Sequence, residues 1–257
     1  MKTLENKNAV ITGGSDGIGY AIAKAFAENG ANILLIARNT EKLEKAKQEL
    51  EHYGSNIHIL PADLSKIETL KQTSESILQA FPRIDILVNN AGIGRFIPFE
   101  EMNEEALDLH LNLNIKAMYL LTHYLYESIK DTKGNIINIS SYFSHRMLPG
   151  RTTTAYSMTK GGVDSFTKAL AFEAGKYDVR VNAIAPGSVA TEQLLHNYNQ
   201  LSDKGKQQFD EMIKTIYPLG KIGNTEDIAE MTLFLASPKA KWITGTIMNI
   251  DGGLTTN

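Results

Sequence analysis

The sequence predicts an α/β fold, a single-domain Rossmann-type doubly wound parallel sheet of about seven strands flanked by helices, over residues 1–257. Three observations carry that expectation. Short apolar, β-branched runs alternate with longer helix-period stretches from the first residues onward, the pattern of βαβ units. The runs are nearly all apolar, as expected for strands covered on both faces. The first run leads through a glycine-rich turn directly into a helical stretch.

Taken in order, the strand at 9–12 enters Thr12-Gly-Gly-Ser-Asp-Gly17-Ile-Gly19, and the helix at 19–29 follows with Tyr20-Ala-Ile-Ala-Lys-Ala-Phe-Ala. A strand at 33–37 ends at Ala37-Arg38-Asn39 and is followed by a helix at 41–53. The remaining alternation gives strands at 57–60, 84–89, 136–140, 180–184 and 246–250, and helices at 67–80, 104–129, 156–176 and 226–236. The stretch from Gly187 to Gly223 breaks the alternation. It is long and polar, with weak helical periodicity from Lys204 to Tyr217 around Phe209, Met212, Ile213 and Ile216. At the carboxyl edge of a parallel sheet such an insertion reads as a substrate lid, assigned to 188–223. No repeat, low-complexity tract or linker marks a domain boundary.

Composition excludes several function classes. The 257 residues carry 26 basic and 29 acidic side chains, intermixed, for a net charge of -3, which gives no reason to bind nucleic acid or a membrane surface. The chain has no cysteine, hence no disulfide, thiolate nucleophile or Cys-ligated metal. The six histidines, His52, His58, His110, His123, His145 and His196, lack the spacing of a two-His metal helix, and no metal site is expected. The start is polar and no apolar run is long enough to span a bilayer, so a cytoplasmic protein is expected.

The chemistry centres on Tyr156 and Lys160. On a helix, i and i+4 side chains share a face, so a phenol and an ammonium lie side by side. A phenol titrates near 10 unless a positive charge favours the phenolate, and Lys160 can supply that charge. At the other end of the chain, Gly13 and Gly17 allow a tight turn and close approach to a pyrophosphate, and Gly19 allows close helix-to-strand packing. The helix amino terminus adds unpaired N–H groups and partial positive charge. No carboxylate follows the second strand to take a ribose 2′-hydroxyl. Arg38 stands there instead and suits a 2′-phosphate, favouring NADP(H) over NAD(H), while Asp16 in the turn is the opposing sign.

With these residues in place the chain resembles the short-chain dehydrogenase/reductase family over nearly its whole length. The carrying motifs are Thr12-Gly-x-x-x-Gly-x-Gly19, Asp63-Leu64, Asn89-Asn-Ala-Gly92, Asn114-Ile-Lys-Ala, Ile139-Ser-Ser141, Tyr156-x-x-x-Lys160, Pro186-Gly187 with Thr191, and Asp251-Gly-Gly253. The resemblance implies that Tyr156 is the acid/base at the substrate oxygen. Lys160 would lower the Tyr156 pKa and hold the nicotinamide ribose. Ser141, with Ser140 as its neighbour, would orient the oxygen. Asn114, preferred over Asn112 by motif register, would bind a relay water.

It also implies cofactor contacts from Gly13, Ser15, Asp16, Gly17, Ile18, Gly19 and Arg38. Asp63 and Leu64 would meet the adenine, and Asn90, Ala91 and Gly92 the adenosine side of the groove. Pro186, Gly187, Val189 and Thr191 would line the nicotinamide. Members pair the helices equivalent to 104–129 and 156–176 as dimers and usually form tetramers, so a homodimer or homotetramer is expected. One departure is the spacing from Ser141 to Tyr156, fifteen residues against about thirteen, which implies an enlarged loop at 143–154.

The resulting expectation is an NADP(H)-dependent oxidoreductase acting on a small-molecule ketone or secondary alcohol. The alternatives are an NAD(H)-dependent alcohol or sugar dehydrogenase and a non-catalytic nucleotide-binding regulator. Apolar Met147, Leu148, Leu194, Leu195 and Tyr198 suggest a partly hydrophobic substrate or lid packing. His145 and Arg146 read as ordinary solvated loop residues, with substrate contact as the alternative, and Trp242 as core or subunit interface. Lys130, Lys133 and Lys176 offer a landing site for an anionic carrier if the substrate is carrier-bound, or serve simply as helix-end charge.

Overall fold

The computed structural model describes residues 2–256. Its seven strands are β1 (Asn8–Thr12), β2 (Asn32–Ala37), β3 (Ile57–Pro61), β4 (Ile86–Asn89), β5 (Asn135–Ile139), β6 (Arg180–Pro186) and β7 (Ile247–Ile250). They form one all-parallel sheet in the order β3-β2-β1-β4-β5-β6-β7. The chain winds outward from β1 to β3, then returns to place β4 beside β1 and winds the other way. That reversal opens a crevice above the carboxyl ends of β1 and β4, where open α/β sheets bind ligands.

Alternation along the strands builds two cores. Ile11, Ile33, Leu35 and Val88 face one side, against α1 (Gly17–Glu28), α2 (Thr40–Glu51) and α9 (Thr225–Ala236). Val10, Leu34, Ile36 and Leu87 face the other, against α3 (Leu70–Ala80), α5 (Met118–Asp131) and α6 (Thr154–Ala174). Each such Ile or Leu contributes about 1.5–3 kcal/mol by leaving water. The expectation of two-sided burial holds for the inner strands. It fails at the edges, where β3 and β7 are only partly covered because each has a neighbour on one side alone.

Two helical expectations change. The single helix expected at 104–129 is α4 (Glu104–Leu111), a π turn at Asn112–Ala117, and then α5. The stretch at 187–223 folds into α7 (Glu192–Asn199) and α8 (Asp203–Ile216). The amphipathic face of α8 was visible in the periodicity. α7 was not, because it buries no residue fully and rests on its cap, with Thr191 Oγ1 accepting from Leu194 N at 3.3 Å. Among the described residues no helix is long and apolar enough to cross a membrane, and no cluster of His, Cys, Asp and Glu could hold a metal.

Candidate active site

The crevice is walled on the β1 side by backbone. Gly13 and Gly17 take positive φ, +66° and +54°, a conformation glycine adopts without penalty. A Cβ on Gly19 would run into the Gly13 carbonyl oxygen and stand 2.6 Å from Asn90 Nδ2. Asn90 ties the turn down, its Nδ2 donating to Thr12 O (3.0 Å) and Gly13 O (3.1 Å), while Thr12 Oγ1 accepts from the N–H groups of Asn90 and Ala91 at 3.0 Å. The side chain of Asn90 therefore braces the turn.

Ser15 and Ile18 are half-buried around this turn. Asp16, at the N-cap of α1, makes no capping bond, so the first-turn N–H groups of α1 are left for another acceptor. By contrast Asn39, Asn103, Thr191 and Ser202 cap α2, α4, α7 and α8 with side-chain oxygens. An uncapped helix start beside glycines with no room for a side chain fits a pyrophosphate.

The negative sign expected from Asp16 is largely cancelled. Lys42 on α2 pairs with its carboxylate at 2.6 Å and reaches Glu192 on α7 at 3.4 Å. Arg38 is exposed at the end of β2. Burial pushes the Asp63 carboxyl up, but hydrogen bonds from Ser65 and the charge of Arg38 outweigh it and hold the group below the usual carboxylate range. Leu64 is buried beside it.

On the other side of the crevice, Ser141, Tyr156, Lys160 and Asn114 converge. The Tyr156 phenol lies close enough to Ser141 for that hydroxyl to favour the phenolate. Ser140 turns away, its Oγ bonded to Asp164 Oδ1 at 2.5 Å, which separates the two serines that the motif register alone had to choose between. Asn114, in the π turn, is buried and holds Ile93 from both sides, accepting from its N–H at 2.8 Å and donating to its carbonyl at 2.9 Å. The same Nδ2 donates to Thr159 Oγ1 at 3.0 Å. Asn112, two residues earlier, is only half-buried. A Cβ on Gly92 would lie 3.2 Å from Asn114 Oδ1 and 3.6 Å from Lys160 Nζ, so only a residue without one leaves the groove open there.

The expected lowering of the Tyr156 pKa by Lys160 is opposed by burial, which pushes the phenol up, and the nearby Ser141 hydroxyl only partly offsets it. Burial also pushes Lys160 down to about 8, with Asp164 opposing. Its Nζ donates to Ile139 O at 2.7 Å and stands 5.7 Å from the centre of the Tyr156 ring. A low-dielectric site disfavours both charged forms at once, which a helix-face argument made from spacing does not include.

Pro186 ends β6, and Gly187 lies against Asp251, where a Cβ would stand 2.9 Å from the Asp251 Cα. Asp251 in turn accepts from Gly253 N and Thr255 N, each at 3.0 Å, which explains the Asp-Gly-Gly motif as a brace. Val189 is buried and bridges to Gly223, and Thr191 lies across from Gly17.

A third apolar cluster closes the crevice mouth: Tyr142, Phe143 and Leu148 with Ile213 and Tyr217, joined by Tyr156, Phe209, Met212 and Ile216. The Tyr217 hydroxyl accepts from Ser188 N and donates to Ser188 Oγ, both at 2.8 Å. Sequence reasoning missed Tyr142, Tyr217 and Phe96, whose rings carry no motif. Phe143 sits two residues past Ser141 and gave the nearest signal. Leu148 joins the mouth, Met147 and Leu195 are exposed, and Tyr198 packs on Phe209 with ring centres 5.4 Å apart.

Trp242 is 97 % exposed in the single chain, which excludes the core and leaves the subunit-interface expectation standing. The carrier landing site at Lys130, Lys133 and Lys176 lies at the amino edge of the sheet, opposite the crevice. Lys130 pairs with Glu127 and Lys133 with Asp178, both at 2.8 Å, and Lys176 stands over Tyr177. These contacts are those of helix-end charges.

Residues 13–255 match a family model described as enoyl-(acyl carrier protein) reductase. The chain is 39 % identical over 253 residues to the 3-oxoacyl-[acyl-carrier-protein] reductase of Chlamydia trachomatis, covering 98 % of each protein. It is 38 % identical over 260 residues to the oxidoreductase UcpA of Salmonella typhimurium, covering 99 % of this chain and 97 % of that one. Among solved structures, L-sorbose reductase from Gluconobacter frateurii, complexed with NADPH and L-sorbose, superposes with a TM-score of 0.94 at 30 % identity over the whole of both chains. A putative NAD(P)-dependent gluconate 5-dehydrogenase from Beutenbergia cavernae, with bound NADP, gives 0.89 at 32 % identity over 99 % of both. Matched along nearly its whole length by a family model, curated relatives and solved folds alike, the chain belongs to the short-chain dehydrogenase/reductase family of oxidoreductases, which move a hydride between a nicotinamide cofactor and a CH–OH or C=O carbon.

Proposed function

We propose that the protein is an NADP(H)-dependent oxidoreductase of ketones and secondary alcohols in which Tyr156 exchanges the proton. The observation that carries this reading is the meeting of Tyr156 with Ser141 at the carboxyl edge, with Lys160 and Asn114 one layer deeper. A bound nicotinamide supplies the hydride. Ser141 and Tyr156 both reach the substrate oxygen from one side and fix it by hydrogen bonds, as an oxyanion hole does. Tyr156, kept neutral by burial, donates its proton to the oxygen of a ketone or takes one from an alcohol. Lys160 and Asn114 line the groove beside Gly92, where Lys160 holds ribose hydroxyls and Asn114 positions the 93–96 segment and a relay to solvent.

At the adenosine end, Gly13, Ser15, Gly17, Ile18 and Gly19 cradle the pyrophosphate. Asp63, Leu64, Asn90 and Ala91 frame the adenosine, and Pro186, Gly187, Val189 and Thr191 frame the nicotinamide. The preference for NADP(H) is supported by the cation Arg38 at the end of β2, with Asp16 held in an ion pair by Lys42. It is also supported by the NADPH and NADP named with two structural relatives. Residues 188–223 act as the lid, docked by the apolar face of α8. The faces of α5 and α6, which leave Tyr119 and Phe172 exposed, assemble with further copies.

The test is a panel of ketones and secondary alcohols followed by nicotinamide absorbance with NADPH and NADH. Removing the proton donor in Tyr156→Phe is expected to lower turnover by about 10²- to 10⁴-fold with NADPH affinity retained. Near-native turnover in that variant on a verified substrate would end the acid/base assignment.

A further inference from the structure

His110 is 0 % exposed, at the end of α4, and belongs to no motif and no part of the chemistry described above. Its two ring nitrogens are both engaged with backbone: Nε2 lies 3.1 Å from Arg95 N and Nδ1 lies 2.8 Å from Ala106 O. A backbone N–H only donates and a carbonyl only accepts. The ring is therefore the neutral tautomer with its hydrogen on Nδ1, and Nε2 accepts from Arg95.

What that bond holds is the segment 93–96, a strap without regular structure that crosses Tyr156. A Cβ on Gly94 would sit 3.4 to 3.5 Å from Cε2, Cδ2 and Cζ of Tyr156, so the strap backbone lies against the phenol ring. Phe96 meets the same ring edge-on with centres 6.0 Å apart, and it also contacts Phe143 at 5.8 Å. The α4–π–α5 rod grips the strap at two points on either side of Gly94: Asn114 at Ile93 and His110 at Arg95.

We infer that His110 is a positioning residue, which by accepting the Arg95 N–H keeps the strap on the Tyr156 ring and so sets where the phenol oxygen points. The inference rests on Tyr156 being the proton-transfer group. Removing the acceptor frees one end of the strap, and Gly94 next to it offers little resistance to displacement. A misplacement of about 1 Å at a reacting group costs on the order of 10²-fold.

The experiment compares His110→Leu with His110→Gln, whose Oε1 can replace the acceptor, alongside Tyr156→Phe in the same assay. For His110→Leu, kcat is expected to fall about 10- to 100-fold. KM and NADPH affinity should hold, and the Arg95 amide should exchange its hydrogen about tenfold faster, as loss of one buried hydrogen bond allows. The β4 amides should keep their protection, and His110→Gln should recover most of kcat.

Unchanged kcat in His110→Leu despite faster Arg95 exchange would overturn the inference. So would equal losses in Leu and Gln, or loosening that spreads to β4, which would mark a merely structural role. If Tyr156→Phe retains turnover, the proton-transfer reading has failed instead, whatever His110→Leu does.

Discussion

The two walls of the crevice are built on opposite rules. The β1 wall is made of backbone: Gly13, Gly17 and Gly19 leave room where side chains would stand, and Asn90 and Thr12 fasten the turn by hydrogen bonds to main chain. The facing wall is made of large side chains, with Tyr142, Phe143, Phe96, Tyr156 and Tyr217 packed across four separate segments. At Gly13 and Gly19 the first wall has no room for an added Cβ, while the second is filled by packed rings. A ligand that must approach the main chain closely suits a surface of backbone, while a wall of rings can be reshaped by substitution without moving the sheet.

Adding atoms to the first wall is the harshest test of that contrast. Gly19→Val drives methyl groups at the Gly13 carbonyl and Asn90, fixed groups that cannot swing aside, and overpacking of this kind costs about 1–3 kcal/mol or more. Cofactor binding followed by fluorescence should disappear. Retained binding would show that the turn can shift and would blunt the comparison.

Next in size is Arg38→Leu. A hydrogen bond to a charged group contributes about 1.5–3 kcal/mol, so NADPH affinity should fall roughly 10- to 150-fold with NADH affinity little changed, by calorimetry. An equal fall for both would remove Arg38 from the 2′-phosphate.

On the second wall, Tyr217→Phe deletes only a hydroxyl, but that oxygen holds Ser188 N and Oγ. Leaving a buried donor without a partner costs about 1–3 kcal/mol. Chemical denaturation should show that loss, and kinetics should show a raised KM for substrate from a looser α8.

The smallest effect is the pH dependence from Lys160. Its folded value, about 8, lies below its ordinary 10.5 because burial disfavours the charge. The unfolded chain therefore binds this proton more tightly. The resulting penalty is fully present below about 8 and disappears as pH rises toward 10.5, so this group makes stability increase over that window, by at most one proton's slope. Comparing melting temperature against pH for the native chain and Lys160→Met should isolate that increase. A native curve parallel to the variant's would show that Lys160 is solvated.

Much of this was legible in the sequence. Every strand was, because buried parallel strands read as apolar runs, and the four polar residues of the crevice were marked by motifs. The break between α4 and α5 was hidden, since apolar periodicity continues across Asn112–Ala117 and the π turn shows only in which way Asn114 faces. α7 was hidden because a helix held by its cap has no buried stripe to reveal it. The burial around Tyr156 and Lys160 was hidden because spacing reports proximity along a helix and says nothing of the solvent removed around it. The bracing bonds of Asn90 were hidden for a related reason: a motif fixes a residue's location, while its partners are set by the fold.

The π turn has a consequence for how this chain tolerates insertion and deletion. A helix advances by roughly 100° per residue. The widened turn at Asn112–Ala117 thus works as a phase shifter, letting Asn114 face Ile93 while α4 and α5 keep their own buried faces. Deleting one residue there would give a smoother helix and a worse protein, because His110 and Asn114 would no longer look toward the same strap. Irregularity in this rod is the means by which one straight element serves two directions.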